Sequence, residues 1–292
     1  MAANGILVID KPSEWTSMDV CAKLRGAFHE KRIGHAGTLD PMATGVLPVF
    51  VGRATRAVEF ASEAGKEYLA GLRLGVITDT QDTTGTVQEE RPVTVGRSEV
   101  ETALSAFRGD ILQVPPMYSA LKVKGQKLYE LARKGVEVER KPRPVTIHAL
   151  EVVEQVSGSD YLIRVACSKG TYVRTLCHDL GQALGCGGAM YSLRRTRAAG
   201  FGLDRAVTMA ELEKAAERGE AEALLTPVDA YFEQYPALTV DERRERSIRN
   251  GVGFPQRGED GLYRVYSPGG AFLMLGRLEG GRMTAVKSFF EV

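Results

Sequence analysis

Gly34-His35-Ala36-Gly37-Thr38-Leu39-Asp40-Pro41-Met42-Ala43-Thr44-Gly45 concentrates three glycines and an Asp-Pro pair in twelve residues. Glycine lets a backbone turn tightly and approach its neighbours closely, while Pro41 biases Asp40 towards an extended conformation. The Asp40 carboxylate is therefore presented from a fixed loop rather than from a helix. The stretch is not a nucleotide-binding loop, since its glycines do not make G-x-G-x-x-G and no G-K-S/T follows. On composition alone it suits an Asp-Pro turn beside a structural histidine at least as well as a catalytic carboxylate.

Helix and strand alternate on both sides of this loop. Upstream, residues 5–9 read as a strand closed by the turn Asp10-Lys11-Pro12-Ser13, and Ser17 is positioned to cap a helix with Val20, Leu24 and Phe28 on one face. Downstream, 46–51 is a short apolar strand, 54–64 a helix, and 67–76 a strand with Tyr68, Ala70, Leu72, Leu74 and Val76 on one parity. That parity favours a core position for Tyr68. Ser98 with Glu101 and Thr208 with Glu211 are capping boxes, and Gly135 stops a helix over 127–134. Residues 145–156 and 161–167 read as strands, the second with Tyr161, Ile163, Val165 and Cys167 alternating inward. Gln234-Tyr235-Pro236 breaks the pattern, so a domain over 1–232 is expected to be followed by a small β-rich one over 233–292, with a hairpin turn at Glu279-Gly280-Gly281.

The chain has 292 residues, 43% hydrophobic and 26% charged, which excludes a largely disordered protein. Its four cysteines make no C-x-x-C pair, which supports neither a disulfide framework nor a zinc site. No secretory pattern opens the sequence and no apolar run approaches the roughly 18 residues of a membrane span, so a cytoplasmic protein is expected. A net charge of +1 argues at first against a nucleic-acid partner. Segment counts reverse that argument. Residues 118–146 carry eight Lys/Arg against three Glu, and 164–205 carry seven against two acids, while 209–233 and 63–110 hold the compensating acid. Two basic segments interleaved with Tyr118, Tyr129, Tyr172 and Tyr191 suit a phosphate-binding surface with stacking groups, or two solvated faces.

Ser168-Lys169-Gly170-Thr171-Tyr172-Val173-Arg174 opens a helix whose stripe is Val173, Leu176, Cys177, Leu180 and Leu184. Arg174 thus falls in the first turn, where the helix dipole disfavours a cation, and a carboxylate such as Asp40 or a substrate phosphate would compensate it. Cys177-His178-Asp179 is no catalytic triad, because adjacent helical side chains diverge.

Together, Gly34-His35-x-Gly37-x-Leu39-Asp40-Pro41-x-Ala43-x-Gly45, Gly52-x-Ala54-Thr55-Arg56, the Lys11-Pro12 turn, Lys66-x-Tyr68, Thr78-Asp79-Thr80-x-Asp82-x-x-Gly85, Ser168 to Arg174 and Leu193-Arg194-Arg195 resemble the motifs of the TruB family of tRNA pseudouridine synthases, in order, over roughly residues 5 to 230. The resemblance implies an α+β pseudouridine synthase fold, with a central mixed, mainly antiparallel sheet flanked by helices and a small C-terminal PUA-like RNA-binding domain. It implies isomerisation of uridine 55 in the T loop of tRNA, with Asp40 as nucleophile, Tyr68 as the active-site tyrosine and Arg174 as the partner of Asp40. His35, Tyr172 and Leu193 fall where the family lines the pocket, with Lys11 beside it and Asp82 bracing Arg174. Residues 118–146 correspond to the insertion that grips the T arm, and Lys122, Lys124, Lys127, Arg133, Lys134, Arg194 and Arg195 are the expected phosphate contacts. Such a reaction needs a carboxylate, a base for the C5 proton and a dry pocket, but no metal or other cofactor. A monomer acting on tRNA without an obligatory protein partner is expected. Two alternatives are the catalytic subunit of a guide-RNA complex and a non-catalytic tRNA-folding factor with a merely structural Asp40 loop.

Overall fold

The computed structural model describes residues 3–123 and 125–291. Its larger sheet runs, edge to edge, through strands Val207–Thr208, Gly5–Lys11, Thr44–Val51, Gly188–Ala198, Lys66–Leu74, Asp160–Cys167, Arg143–Gln155 and Gly109–Gln113. Two neighbour pairs on this path are parallel, Gly5–Lys11 with Val207–Thr208 and Thr44–Val51 with Gly188–Ala198, and the rest are antiparallel. The sheet is therefore mixed and mainly antiparallel. The Gly188–Ala198 strand lies between the strand that follows the Asp40 loop and the strand that carries Tyr68, so three separate motifs meet across neighbouring ladders.

Parity places the core. Tyr68, Ala70, Leu72 and Leu74 share one buried cluster with Tyr161, Ile163, Val165 and Cys167, and helix Val173–Ala183 lays Val173, Leu176, Cys177 and Leu180 onto it. Helix Ser17–Phe28 presses Val20, Cys21, Leu24 and Phe28 against Leu7, Ile9, Leu47 and Val49 elsewhere on the sheet. Because strand Thr44–Val51 is covered on both faces, Val46 to Val51 is buried without alternation.

Local signals shift by a residue or two. Thr16, not Ser17, caps the first helix, accepting from the Asp19 N–H at 3.0 Å while Asp19 accepts from the Thr16 N–H at 2.8 Å. Ser17 is thereby freed to bond the Asp40 loop. The expected Ser98–Glu101 box is replaced by Glu99 accepting from the Gly96 N–H at 3.1 Å, because helix Arg97–Ser105 starts two residues earlier. Residues Gly52–Ala57 wind as a 3-10 turn before helix Val58–Glu63, and the Tyr68 strand ends at Leu74, where Gly75 takes φ 90°. The Thr208–Glu211 capping box is present as expected.

A second, five-stranded sheet runs Ala237–Thr239, Gly261–Tyr266, Phe272–Glu279, Arg282–Ser288 and Phe254–Pro255. Gly280 and Gly281, with φ 54° and 76°, turn its tightest hairpin. It has its own cluster around Val240, Ile248, Val265 and Met283, yet it is not sealed from the larger sheet. Phe232 packs against Phe60, Phe272 and Phe289 with centroids 5.4, 6.2 and 5.7 Å away, and Leu275 and Phe289 join one buried cluster with Ile6, Val8 and Phe50. Among the described residues no helix is long and apolar enough to cross a membrane.

Candidate active site

The Asp40 loop connects the short strand Ile33–His35 to Thr44–Val51. Asp40 opens a tight turn, its carbonyl accepting from the Ala43 N–H at 3.0 Å with Pro41 at the second position. Three elements pin the loop from below. The Ser17 hydroxyl accepts from the Leu39 N–H at 2.9 Å, the Pro41 carbonyl accepts from the Glu14 N–H at 2.9 Å, and the Lys11 ammonium donates to Pro41 O at 3.1 Å. The carboxylate is thus fixed from a loop whose backbone groups are largely satisfied, while 38% of its side chain stays open to the cavity above.

Arg174 meets it from the first turn of helix Val173–Ala183. Its Nε lies 3.1 Å from Asp40 Oδ2, and its Nη1 lies 3.5 Å from Asp82 Oδ2. The remaining donors go to Tyr118 O at 2.8 Å and Thr80 O at 3.1 Å. Arg174 and Asp82 are buried, so the guanidinium is held from both sides before it reaches Asp40. Burial pushes the Asp40 carboxyl above its ordinary value, with Arg174 pulling it back down and Asp82 adding to the rise. The guanidinium therefore limits a shift that burial dominates.

Tyr68 lies 7% exposed at the cavity floor, with Leu193 beside it. Burial raises its phenol above the ordinary value, and the facing Arg195 offsets this in part. A cavity of about 920 Å³ opens over Asp40, Tyr68, Arg174, Tyr172 and Leu193. Part of its wall comes from the 118–146 segment, through Tyr118, Ser119, Tyr129 and Arg133. That segment forms a small hairpin, Lys122–Val123 with Gln126–Lys127, and helix Leu128–Ala132. The Tyr129 ring is flanked by the Lys127 ammonium at 5.3 Å and the Arg133 guanidinium at 5.5 Å.

Other expected site residues sit differently. Lys11 is fully buried, its ammonium donating to Pro12 O, Trp15 O and Pro41 O, so it supports the loop and does not line the cavity. His35 pairs with Val49 in the sheet and also stands outside the cavity lining, its Nδ1 buried without a hydrogen-bond partner among the described residues and its imidazole pushed below the ordinary pKa by burial. Arg195 is 1% exposed and cannot meet a phosphate at the surface, because its strand turns it inward. Arg194 faces out but pairs with Asp10 at 2.8 Å. Lys122, Arg133 and Lys134 are exposed, Lys127 half-buried, and Lys124 lies outside the described residues. Sequence reasoning missed Gln113, whose 2% exposed amide clamps Tyr172 by accepting from its N–H at 2.8 Å and donating to its carbonyl at 3.0 Å. Nothing in the local sequence marks it, since the partner is 59 residues away. Among the described residues no group of three or more His, Cys, Asp or Glu is arranged to hold a metal ion.

A long mixed sheet with an aspartate–arginine pair and a buried tyrosine at the floor of a nucleotide-sized cavity is the arrangement of a pseudouridine synthase. Residues 25–173 match the model for the TruB family pseudouridylate synthase N-terminal domain, and 174–233 that for the tRNA pseudouridylate synthase B C-terminal domain. The tRNA pseudouridine synthase B of Stutzerimonas stutzeri (strain A1501) is 46% identical, covering 96% of this chain and 93% of its own. That of Clostridium kluyveri is 40% identical, covering 98% and 99%. In fold, a chain from the crystal structure of a Cbf5-Nop10-Gar1 complex is similar with a TM-score of 0.74 and 27% identity, over 99% of this chain and 86% of that one. The chain belongs to the TruB family of tRNA pseudouridine synthases and is an isomerase.

Proposed function

We propose that this enzyme converts uridine 55 in the T loop of tRNA to pseudouridine, with Asp40 as the nucleophile and the target base flipped into the cavity. The observation that carries the reading is the Asp40–Arg174 pair at 3.1 Å, with a buried guanidinium and a partly exposed carboxylate facing a cavity of about 920 Å³. The reaction breaks the N1–C1′ bond, turns the ring and forms a C5–C1′ bond, while C5 loses a proton and N1 gains one, so no electrons are exchanged. The Asp40 carboxylate serves attack at C1′, attack at uracil C6 or a glycal route alike. Arg174 orients the carboxylate and limits the rise in its pKa. The raised pKa of Tyr68 keeps the phenol protonated at neutral pH, which supports a role in holding the ring ahead of one as the resting base for the C5 proton. Leu193 and Tyr172 close the cavity around the base and shield it from water.

Extruding a base from a folded loop costs on the order of a few kcal/mol. The exposed Lys122, Arg133 and Lys134 of the cavity cover are suited to phosphate contacts that offset it. We read the enzyme as a cytoplasmic monomer that needs no guide RNA, with the 233–292 segment as a PUA-like RNA-binding unit. The likeness to a Cbf5 chain favours a second reading, a guide-RNA-dependent catalytic subunit. One experiment separates them: purified protein and an isolated, tritium-labelled T-arm hairpin, without guide RNA. Release of tritium from C5 is expected, and none from Asp40→Asn, which should still bind tRNA. Turnover by Asp40→Asn would refute the nucleophile, and turnover only with a guide RNA would support the second reading.

A further inference from the structure

Arg195 is a buried cation with no carboxylate within ion-pair distance among the described residues. Leaving such a charge inside a protein is costly unless its donors are matched by specific acceptors. Here the acceptors come from two of the motifs that build the site. Nε donates to Val46 O at 2.7 Å and Nη2 to Gly37 O at 3.1 Å, so one guanidinium holds both the Asp40 loop and the strand that leaves it. Its strand register pairs Arg195 with Gly45 on one side and with Tyr68 on the other. Directly opposed residues of an antiparallel pair share a face, so the Arg195 guanidinium stands beside the Tyr68 phenol, and the nearby cation opposes the rise that burial imposes on the phenol.

The glycines of the Asp40 motif fit around this residue. Gly45 adopts φ +102°, and a Cβ there would stand 2.2 Å from the Arg195 carbonyl oxygen and 2.9 Å from its nitrogen. Gly37 adopts φ +100°, and a Cβ there would lie 3.6 Å from Arg195 Nη1 and 3.5 Å from Lys66 Cε. At Gly45 any side chain would drive the strands apart. At Gly37 the left-handed backbone is what turns the carbonyl to the guanidinium. The motif that presents Asp40 is thus shaped to admit Arg195 from the neighbouring strand.

We infer that Arg195 is a positioning residue, which fixes the Asp40 loop and the Tyr68 hydroxyl relative to one another and makes no phosphate contact with the RNA. The inference rests on Asp40 and Tyr68 being the reacting and ring-holding groups. Its planar fork is what serves acceptors in two directions, a task that the single ammonium of lysine cannot reproduce.

The test measures single-turnover tritium release, tRNA affinity and its salt dependence for Arg195→Lys and Arg195→Met, each also combined with Tyr68→Phe. A misplacement of about 1 Å at a reacting centre costs on the order of a hundredfold in rate, and a loss of that size is expected for Arg195→Met, with a smaller one for Arg195→Lys. Affinity and salt slope should stay at the wild-type values. In the Tyr68→Phe background the Arg195→Lys loss should shrink, because the hydroxyl it acts through is already gone. Circular dichroism reports folding, and if Arg195→Met does not fold, the Arg195→Lys cycle decides. A lower salt slope with an unchanged rate would make Arg195 a phosphate contact and overturn the inference, as would losses that simply multiply. If Asp40→Asn and Tyr68→Phe themselves kept full rate, the reading of the site would fail instead.

Discussion

Replacing Lys11 by Met tests whether a buried ammonium holds the reactive loop. Methionine keeps most of the volume and removes every donor. Pro12 O and Trp15 O, which accept at 2.7 and 2.6 Å, lose this partner, whereas Pro41 O keeps the Glu14 N–H. Hydrogen bonds to a charged donor are worth roughly 1.5–3 kcal/mol each, and relief of the buried charge returns part of that, so a net loss of about 2 kcal/mol is expected near pH 7.5. Burial lowers the Lys11 pKa from 10.5 to about 8, with Asp40 and Glu14 opposing the shift. Between those values the unfolded chain binds a proton that the folded chain does not, so this lysine's contribution to stability rises with pH across the window. At about 1.4 kcal/mol per pH unit the full interval is worth roughly 3 kcal/mol. The stability difference between wild type and Lys11→Met, from urea unfolding at matched pH, should therefore widen between pH 8 and 10.5, other titrations cancelling in the difference. Single-turnover tritium release should fall in the variant with tRNA affinity retained, since the loosened turn is the one that carries Asp40. A pH-independent difference, or a variant as fast as wild type, would refute the reasoning.

Two further outcomes follow from the same geometry. As the proposed nucleophile Asp40 would react as its anion, and burial raises its pKa above 3.8, so the single-turnover rate should fall on the acid side through a pKa above that value; Arg174→Met, which removes the charge pulling it down, should move this limb to higher pH, and an unmoved limb would separate the pair from catalysis. Changing Lys122, Lys124 and Lys127 to Ala should reduce the slope of log affinity against log salt by roughly 2, at about 0.7–0.9 per phosphate contact, whereas Arg194→Ala should leave it nearly unchanged because Asp10 already occupies that guanidinium.

Much of the fold is legible because its signals are local. Pro41 and the glycines of 34–45 correctly indicated a loop-borne Asp40, Gly170 and the stripe after it correctly put Arg174 in a first helical turn, and parity buried Tyr68. Lys11 was harder. It shares parity with Leu7 and Ile9, but Ile6 and Val8 are buried too, so a strand covered on both faces gives alternation no leverage. Arg195 was readable in principle, since it shares parity with the buried Leu193 while Arg194 points the other way. Consecutive strand residues face opposite ways, so the two arginines cannot act together at one surface. Gln113 was not readable, because a clamp on Tyr172 exists only once an edge strand and a helix start have been brought together.

Charge shows the same division between local and tertiary information. Segment counting turned a net +1 into two basic stretches, but the partners that neutralise one of them come from far along the chain. Arg164 pairs with Glu67 and Glu151, Lys169 with Glu63 and Arg194 with Asp10, while Arg174 and Arg195 are buried. Of the seven basic residues in 164–205 only Arg197 and Arg205 are left exposed without a carboxylate partner among the described residues. The 118–146 segment keeps its charge, with Arg140–Glu137 its one ion pair among those residues. Since that segment also walls the cavity through Tyr118, Tyr129 and Arg133, phosphate attraction and closure over the base would be exerted by one element. On the proposed reading, binding energy gathered there would act within reach of Asp40, where it would help offset the cost of extruding a nucleotide.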